Sequence, residues 1–388
     1  MANVNQLYSV LNVVANEALG GSATTVQDTT SMVSLGNDVL SSETSVDKFV
    51  GTLMDRIGKT IVSSRAWSDP ESDPLVKKPF DFGAALQKIY VDIMDAAANN
   101  AWNIGQNGYT PSYAPVTKPD VRQKLFNSVN TWEFDMTVPD NILRTAFLNE
   151  TEMIAFISSI FTAMENSMQL SLRNANNLTR ATAAAYVING GGNNAINVLG
   201  EYNTISGESL TLANMQYDTG FLQYFTKRIL DVKRYMSDMS RAWNNEEFAR
   251  HTPESEKVLT MLQAIDSAAA VYLKSSTFHD NLLDLGLGYN TVSFWQGAGE
   301  TYSFNDISAI KIDIVDPDPE SSTGKLAVSQ TGVLAMLYDR EAMGTTINNR
   351  RSSTERNNKD EYTDYYSKAN IGYYADRSEN TIVFYAAE

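Results

Sequence analysis

The sequence predicts an α+β chain, and two observations carry that class. An apolar stripe runs at helical spacing from Met153 to Leu178, far beyond the length of an ordinary helix. Separate short runs carry the patterns of strands. Trp132, Phe134 and Met136 alternate with Thr131, Glu133 and Asp135, and the chain closes on the apolar run "TIVFYA". No repeat of fixed period underlies either pattern. At 388 residues the chain exceeds a usual single domain, so two lobes or one elaborated domain is expected.

Composition narrows the function classes. Hydrophobic residues make up 43% and charged residues 20%, enough apolar material for a core. Forty-six acidic residues against 30 basic ones give a net charge of -16, which disfavours a surface built mainly to grip phosphate backbones. There is no cysteine, so disulfides, thiolate chemistry and cysteine-ligated metals are excluded. The first basic residue is Lys48, which leaves the N-terminus without the basic region of a secretory signal. No apolar run approaches the roughly 20 residues of a membrane span. A soluble, unexported chain is the expectation.

The elements follow in order. Val4, Leu7, Leu11, Val14 and Ala18 space a first helix that Gly20 and Gly21 end. The Ser- and Thr-rich stretch after it reads as an extended arm. Ser45 caps a second helix bearing Val46, Phe49, Val50, Leu53, Met54 and Ile57 on one face. From about 66 to 130 the proline-rich runs "SDPESDPLVKKPFDFG" and "NIGQNGYTPSYAPVTKPD" predict long excursions. Between them "AALQKIYVDIMDAAANNAW" reads as a short helix, and "LFNSVNTWEFDMTVP" as a returning strand. Two extended arms joined at a tip would project as a long hairpin.

Asn149 and Glu152 have capping-box spacing at the head of the long helix. Its stripe is Met153, Ile157, Ile160, Met164, Met168, Leu172, Ala175 and Leu178, and Gly190 to Gly192 is the first strong stop. Running unbroken to Val187, such a helix spans on the order of 55 Å. That is about the diameter of a compact globule of this mass, so a plate or wedge with a spine is expected. Asn174, Asn176 and Asn177 are the positions at which it would kink or end early.

Past residue 195, an amphipathic stretch from Gly220 to Phe248 presents Phe221, Phe225, Ile229, Val232, Met236, Met239 and Trp243. Pro253 suits the first position of another helix running to about Lys274. Strands close the chain. Ile310, Ile312 and Ile314 alternate with Lys311 and Asp313, "DPDPESSTGK" is a loop, and "VLAMLYDREAMG" is a strand ending in polar residues.

A search for chemistry assigns no catalytic, cofactor-binding or metal-ligating residue. His251 and His279 sit in no metal or triad spacing, so surface or cap positions suit them better. "IGKT" at 57 to 60 resembles the end of a phosphate loop, but Leu53 stands where its first glycine belongs. "NGGGNN" at 189 to 194 follows a helix instead of preceding one, which favours a terminating turn over an anion cradle. Asp313, Asp316, Asp318 and Glu320 offer oxygen ligands without the glycine of the common calcium loop. The basic cluster "NNRRSSTERNNK" at 348 to 359 suits intersubunit pairs or a solvated face better than nucleic acid. The acceptor patterns at Asn149 and Asn177 lie in predicted helix and are set aside.

The layout resembles the major capsid proteins of tailed bacteriophages, the Hong Kong 97-type shell fold. "KLFNSVNTWEFDMTVPDNILRTAFLNETEMIAFISSIFTAMENSMQLSL" (124 to 172) is similar to the strand-into-spine segment of capsid proteins from small short-tailed phages. "GVLAMLYDREAMGTT" and "YYADRSENTIVFYA" resemble that family's closing segment, where a strand bearing an Asp-Arg-Glu-Ala phrase precedes a polar turn and a last strand. The resemblance implies an N-terminal arm at 1–45, a first helix of the peripheral domain at 46–65 and an extended loop at 66–137. It places the peripheral domain with its spine at 138–194, an axial domain at 195–345, and a return to the peripheral domain at 346–388. It further implies hexamers and pentamers of this chain closing an icosahedral shell around double-stranded DNA, held without sequence-specific contacts. Scaffolding and portal proteins are its implied partners, with no membrane and no cofactor, and the virion its location after assembly in the host cytoplasm. Some members join a loop lysine to a neighbour's asparagine. Lys77 and Lys78 lie in the loop, yet no motif carries the crosslink over, so none is expected. A cellular nanocompartment shell of the same fold is the alternative, and a hydrolase using two carboxylates a remote one.

Overall fold

The structure is a computed structural model. It describes scattered residues between 12 and 35, then 65–66, 72–77, 86–94, 96, 118–126, 129–139, 150–276, 289–296, 302–316, 324–360 and 362–388. In chain order these hold β1 (Val76–Lys77), β2 (Leu86–Val91), β3 (Val121–Phe126), β4 (Val129–Pro139), α1 (Glu150–Gly190), β5 (Ala195–Asn197), α2 (Val198–Ser206) and α3 (Thr219–Tyr235). There follow β6 (Lys257–Leu262), α4 (Gln263–Ser276), β7 (Tyr289–Val292), α5 (Phe304–Ile307), β8 (Ile310–Val315), β9 (Lys325–Gln330), β10 (Val333–Asp339), β11 (Met343–Asn357), β12 (Tyr362–Ala375) and β13 (Thr381–Tyr385). The α+β class holds.

The chain divides into two compact units. The smaller takes Met1–Ala66, Asp135–Glu165 and Thr354–Tyr365. Within it Phe161 meets Tyr365 edge-on at 5.3 Å, and Thr137 donates a hydrogen bond to Asp364. The larger takes Trp67–Phe134, Asn166–Ser353 and Tyr366–Glu388. Its centre is a mixed five-stranded sheet in the order β5-β13-β10-β6-β7. Both faces of that sheet are covered. Leu259, Met261, Ala335, Leu337, Ile382 and Phe384 pack with Phe221, Phe225, Ile229 and Val232 of α3 and Ile265 of α4. The residues between them, Val258, Leu262, Met336, Tyr338 and Val383, pack with Ala181, Ala184 and Val187 of α1 and with Trp295. Strands covered on both faces have no polar face to show, which is why β6 and β10 are buried at every position.

The long helix is continuous over 41 residues, about 60 Å. Met164, Met168 and Leu172 are buried as expected, but Leu178 is 46% exposed. The buried line continues instead through Ala181, Ala184, Ala185 and Val187. The asparagines do not break it: Asn174 lies exposed, and the buried Asn177 donates its amide to the Phe294 carbonyl at 3.3 Å. Gly191 ends the helix at φ 58°, its N–H reaching back to the Val187 carbonyl at 3.3 Å.

Several expectations are corrected. The segment read as a short helix from Ala84 is strand β2, in which Ile, Tyr and Val pair with β3 over six residues. The helix after Pro253 is a 3-10 turn followed by β6 at the sheet centre, and α4 begins only at Gln263. A fully buried run lacks the polar positions that would show its period. The amphipathic stretch from Gly220 stops being helical at Tyr235, and Met239 beyond it is 53% exposed. In the expected extended arm, Ser31, Ser34 and Leu35 are helical, with Leu35 buried. Asn12, Val13, Ala15 to Glu17 and Leu19 are helical up to Gly20, as expected. The helix expected from Ser45 lies outside the described residues.

One buried charge ties the segment before β1 to the long helix. Arg180, 1% exposed, donates to the Asp73 carboxylate, which also accepts the Leu75 N–H at 3.0 Å. Breaking such a pair strands an uncompensated charge. Asp73→Ala should therefore lower the free energy of unfolding by about 3–5 kcal/mol, while adding Arg180→Met should restore most of the loss. Urea unfolding of the two variants and the wild type measures both effects.

Candidate functional site: a ribbon with its apolar face outward

The antiparallel pair β2–β3 is a two-stranded ribbon whose register sorts its side chains into two faces. Leu86↔Phe126, Lys88↔Lys124 and Tyr90↔Arg122 make one face, and Gln87↔Leu125, Ile89↔Gln123 and Val91↔Val121 the other. A strand lying on a protein body ordinarily turns its apolar side inward. Here Ile89, Val91, Val121 and Leu125 are 52 to 62% exposed, and Ile93 and Met94 extend the strip beyond β2. The inward face instead carries two lysines and a tyrosine. Their side chains are shielded, at 12% for Lys88 and 21% for Lys124, and Tyr90 is 3% exposed.

What draws lysines inward is Asp376, whose side chain is fully buried. Its Oδ1 accepts from Lys124 Nζ at 3.1 Å and from the Ser378 N–H at 3.0 Å. Its Oδ2 lies 3.2 Å from Lys88 Nζ and accepts the Tyr90 hydroxyl. Lys124 also reaches Glu246 and the Ser378 hydroxyl, each at 2.6 Å. Glu379 sits 3.8 Å from both Lys88 and Arg250, and the Arg250 guanidinium lies over the Tyr90 ring at 4.6 Å. At the outer end of β2, Asp92 takes Arg241 at 2.9 Å.

The turn that carries Asp376 is itself fixed by the turn between β10 and β11. The Asp376 N–H bonds to the Ala342 carbonyl at 2.7 Å, and the Asp339 N–H to the Asn380 carbonyl at 2.9 Å. Lys77 pairs with Glu341 at 3.2 Å and donates to the Arg340 carbonyl, while Lys88 donates to the Glu341 carbonyl. The Asp339-Arg340-Glu341-Ala342 phrase is thus the seat of the ribbon's base.

The electrostatics follow from burial and contacts. Burial alone would raise the Asp376 pKa, but the Tyr90 hydrogen bond, the Lys88 charge, the Ser378 amide and Lys124 outweigh it and hold the carboxyl below its ordinary range. Burial raises Glu379 despite Arg250 and Lys88, and burial followed by the Asp376 contact pushes the Tyr90 phenol far up. A depressed carboxyl contributes stability above its unfolded value and loses it as pH falls through the folded value.

His251 is exposed, while His279, "IGKT", Asp318 and Glu320 lie outside the described residues. The glycine run at 190–192 forms the terminating turn of α1. Among the described residues no three His, Asp or Glu side chains gather as a metal would need. A cavity of about 1080 Å³ holds two carboxylates, both engaged: Glu201 by Arg228 at 2.8 Å and Asp231 by Lys227 at 2.7 Å. A second, of about 980 Å³, is lined largely by Trp132, Phe134, Leu178, Tyr373 and Tyr374. Residues 348–359, the basic cluster, lie on the outer part of β11 and the turn after it, largely exposed.

No residue of the Asp376 cluster was picked out from the sequence alone. The available signal was the alternation in "LQKIYV", which is the pattern of a strand with Lys88 and Tyr90 on one side. Because Asp376 is depressed, the thermal midpoint of the wild type should fall more steeply than that of Asp376→Asn below about pH 4. The two curves should converge as acid removes what the substitution has already removed, a comparison that melting experiments across pH provide.

Comparison with known proteins adds the family. The family model for the Phi29-like phage major capsid protein matches residues 11–385. The major capsid protein of Bacillus phage B103 is 27% identical over 170 residues, which are 43% of this chain and 36% of that protein. That of Bacillus phage GA-1 is 24% identical over 174 residues, 43% of this chain and 34% of that protein. The matches thus span about a third of the length of these curated relatives. In shape, the chain is similar to the capsid structure of Staphylococcus phage Andhra, at a TM-score of 0.56 and 12% identity over 85% of this chain and 87% of that one. It is also similar to the capsid structure of cyanophage P-SCSP1u, at 0.52 and 12% over 87% and 94%. The fold is that of phage capsid proteins, and the chain belongs to the Phi29-like phage major capsid protein family.

Proposed function

We propose that this chain builds the shell of a phage head by associating with copies of itself. Hexamers and pentamers would close an icosahedral container around double-stranded DNA, in the Hong Kong 97-type arrangement. In that reading 1–45 is the arm, 46–65 the first peripheral helix, 66–137 the extended loop, 138–194 and 346–388 the peripheral domain, and 195–345 the axial domain. The role is structural and not catalytic, its place is the virion, and scaffolding and portal proteins are the partners that assembly calls for.

The observation that carries the reading is the inverted ribbon. An isolated chain leaves Ile89, Val91, Val121 and Leu125 in water on one continuous strip. Fully covering a Val, Leu or Ile side chain is worth about 1.5–3 kcal/mol. A second copy laid over the strip recovers that energy, and repetition around a closing symmetry axis satisfies every copy alike. The acidic balance of the chain, -16, suits a container whose wall must not hold the DNA entering it.

Two outcomes test this. The purified chain, alone or with a scaffolding protein, should yield closed particles or hexamer sheets by electron microscopy and sediment in the megadalton range; a monomer under all such conditions overturns it. Val91→Asp combined with Leu125→Asp should abolish particles while leaving the circular dichroism and melting of the single chain unchanged, because both side chains are exposed. Particles of normal yield from that variant would show that the strip is not the contact.

A further inference from the structure

The register of the ribbon sets Lys88 directly opposite Lys124. Like charges facing each other on paired strands oppose the pairing, and here both are largely out of water, which strengthens the repulsion. The ribbon itself supplies no anion between them, since its inward face holds only Leu86, Lys88, Tyr90, Arg122, Lys124 and Phe126. The compensation comes entirely from the body: Asp376 takes both lysines, one on each oxygen, Glu246 takes Lys124, and Glu379 faces Lys88.

That compensation has no surplus. The carboxylates joined around Asp376 are three, Asp376, Glu246 and Glu379. They face four cations, Lys88, Lys124, Arg250 and Arg377, the last 3.5 Å from Glu246. Of the other charges nearby, Glu341 pairs with Lys77 and Arg122 with Asp120 at 3.4 Å, while Asp339, which accepts the Thr252 hydroxyl at 2.8 Å, keeps its charge and brings the balance to four against four. Tyr374 presents its ring to Lys88 at 5.3 Å and no charge.

We propose that the ribbon is a conditional element, whose strands pair only while the Asp376 turn neutralises the lysine pair, so that this turn is a latch that sets whether the ribbon is formed. Removing charge from the latch leaves two facing lysines that push the strands apart. The ribbon then opens while the five-stranded sheet, whose hydrogen bonds lie elsewhere, stays intact. The consequence for assembly rests on the shell reading above; the charge geometry does not.

Amide hydrogen exchange on the full unassembled chain tests the latch. Asp376→Asn should speed exchange of the cross-strand amides of β2 and β3 by on the order of tenfold or more and leave β6, β10 and β13 unchanged. Adding Lys88→Met should slow ribbon exchange back towards the wild-type rate, because one of the opposed charges is gone. If Asp376 served only as a packing group, the second substitution would deepen the defect, and that result overturns the proposal, as does an unchanged ribbon in Asp376→Asn. Should Asp376→Asn fail to fold, Glu246→Gln, which strips a partly exposed carboxylate from Lys124, carries the same comparison with and without Lys124→Met. Particle formation is scored separately. Particles from the wild type, with an unchanged ribbon in Asp376→Asn, reject the latch and spare the shell, whereas the expected exchange pattern in the variant, with no particles from the wild type, does the reverse.

Discussion

The structure turns on a single fully buried carboxylate. Asp376 is the point at which a two-stranded ribbon, a turn between two sheet strands and the base of the larger unit are joined. A charge removed from water in this way is tolerated only when paired and hydrogen-bonded, and Asp376 pairs with Lys88 and accepts from Lys124, Tyr90 and the Ser378 amide. Because its partners are long cationic side chains on a strand, satisfying it dictates which face of that strand looks inward. Period-two geometry then forces the intervening apolar residues outward. The exposed strip is thus a consequence of the buried charge.

Beneath this lies a sheet held mainly by apolar packing. Its central strands are apolar at successive positions because α3 and α4 cover one face and the last turns of α1 the other. Such a sheet is a rigid platform, with Phe225 edge-on to Phe384 at 6.2 Å and Trp295 buried with its indole N–H on the Val333 carbonyl at 2.7 Å. Rigidity is what lets one turn between β10 and β11 hold the seat of the ribbon in place.

The sequence was legible where one side of an element faces water. The long helix and the alternation of β4 and of β8 showed their period, since polar residues mark the missed beats. The buried run Lys257–Leu262 offered no such marks, and proline before it suggested a helix start that is only a 3-10 turn. The ribbon strand Leu86–Val91 was misread for a different reason. It is flanked by alanines that favour helix, and its polar residues lie on the inward face, so the pattern carried the right period with the expected polarity reversed. The Asp376 cluster was out of reach because Asp376 meets ribbon residues far away in the chain, Lys124 at a separation of 252 residues and Tyr90 at 286. Nothing local distinguishes such an aspartate from any other turn aspartate.

The chain shares its fold with capsid structures at 12% identity. The chain meets a set of requirements: a sheet covered on both sides, a long helix, and a ribbon whose apolar strip is exposed. Many sequences meet those requirements, since volume-conserving changes in a core are tolerated. Buried charges are less forgiving, because substituting one partner strands the others. In the ribbon polarity is turned the wrong way round, and the reason for the reversal sits a few ångströms beneath the surface, at Lys88, Lys124 and Asp376.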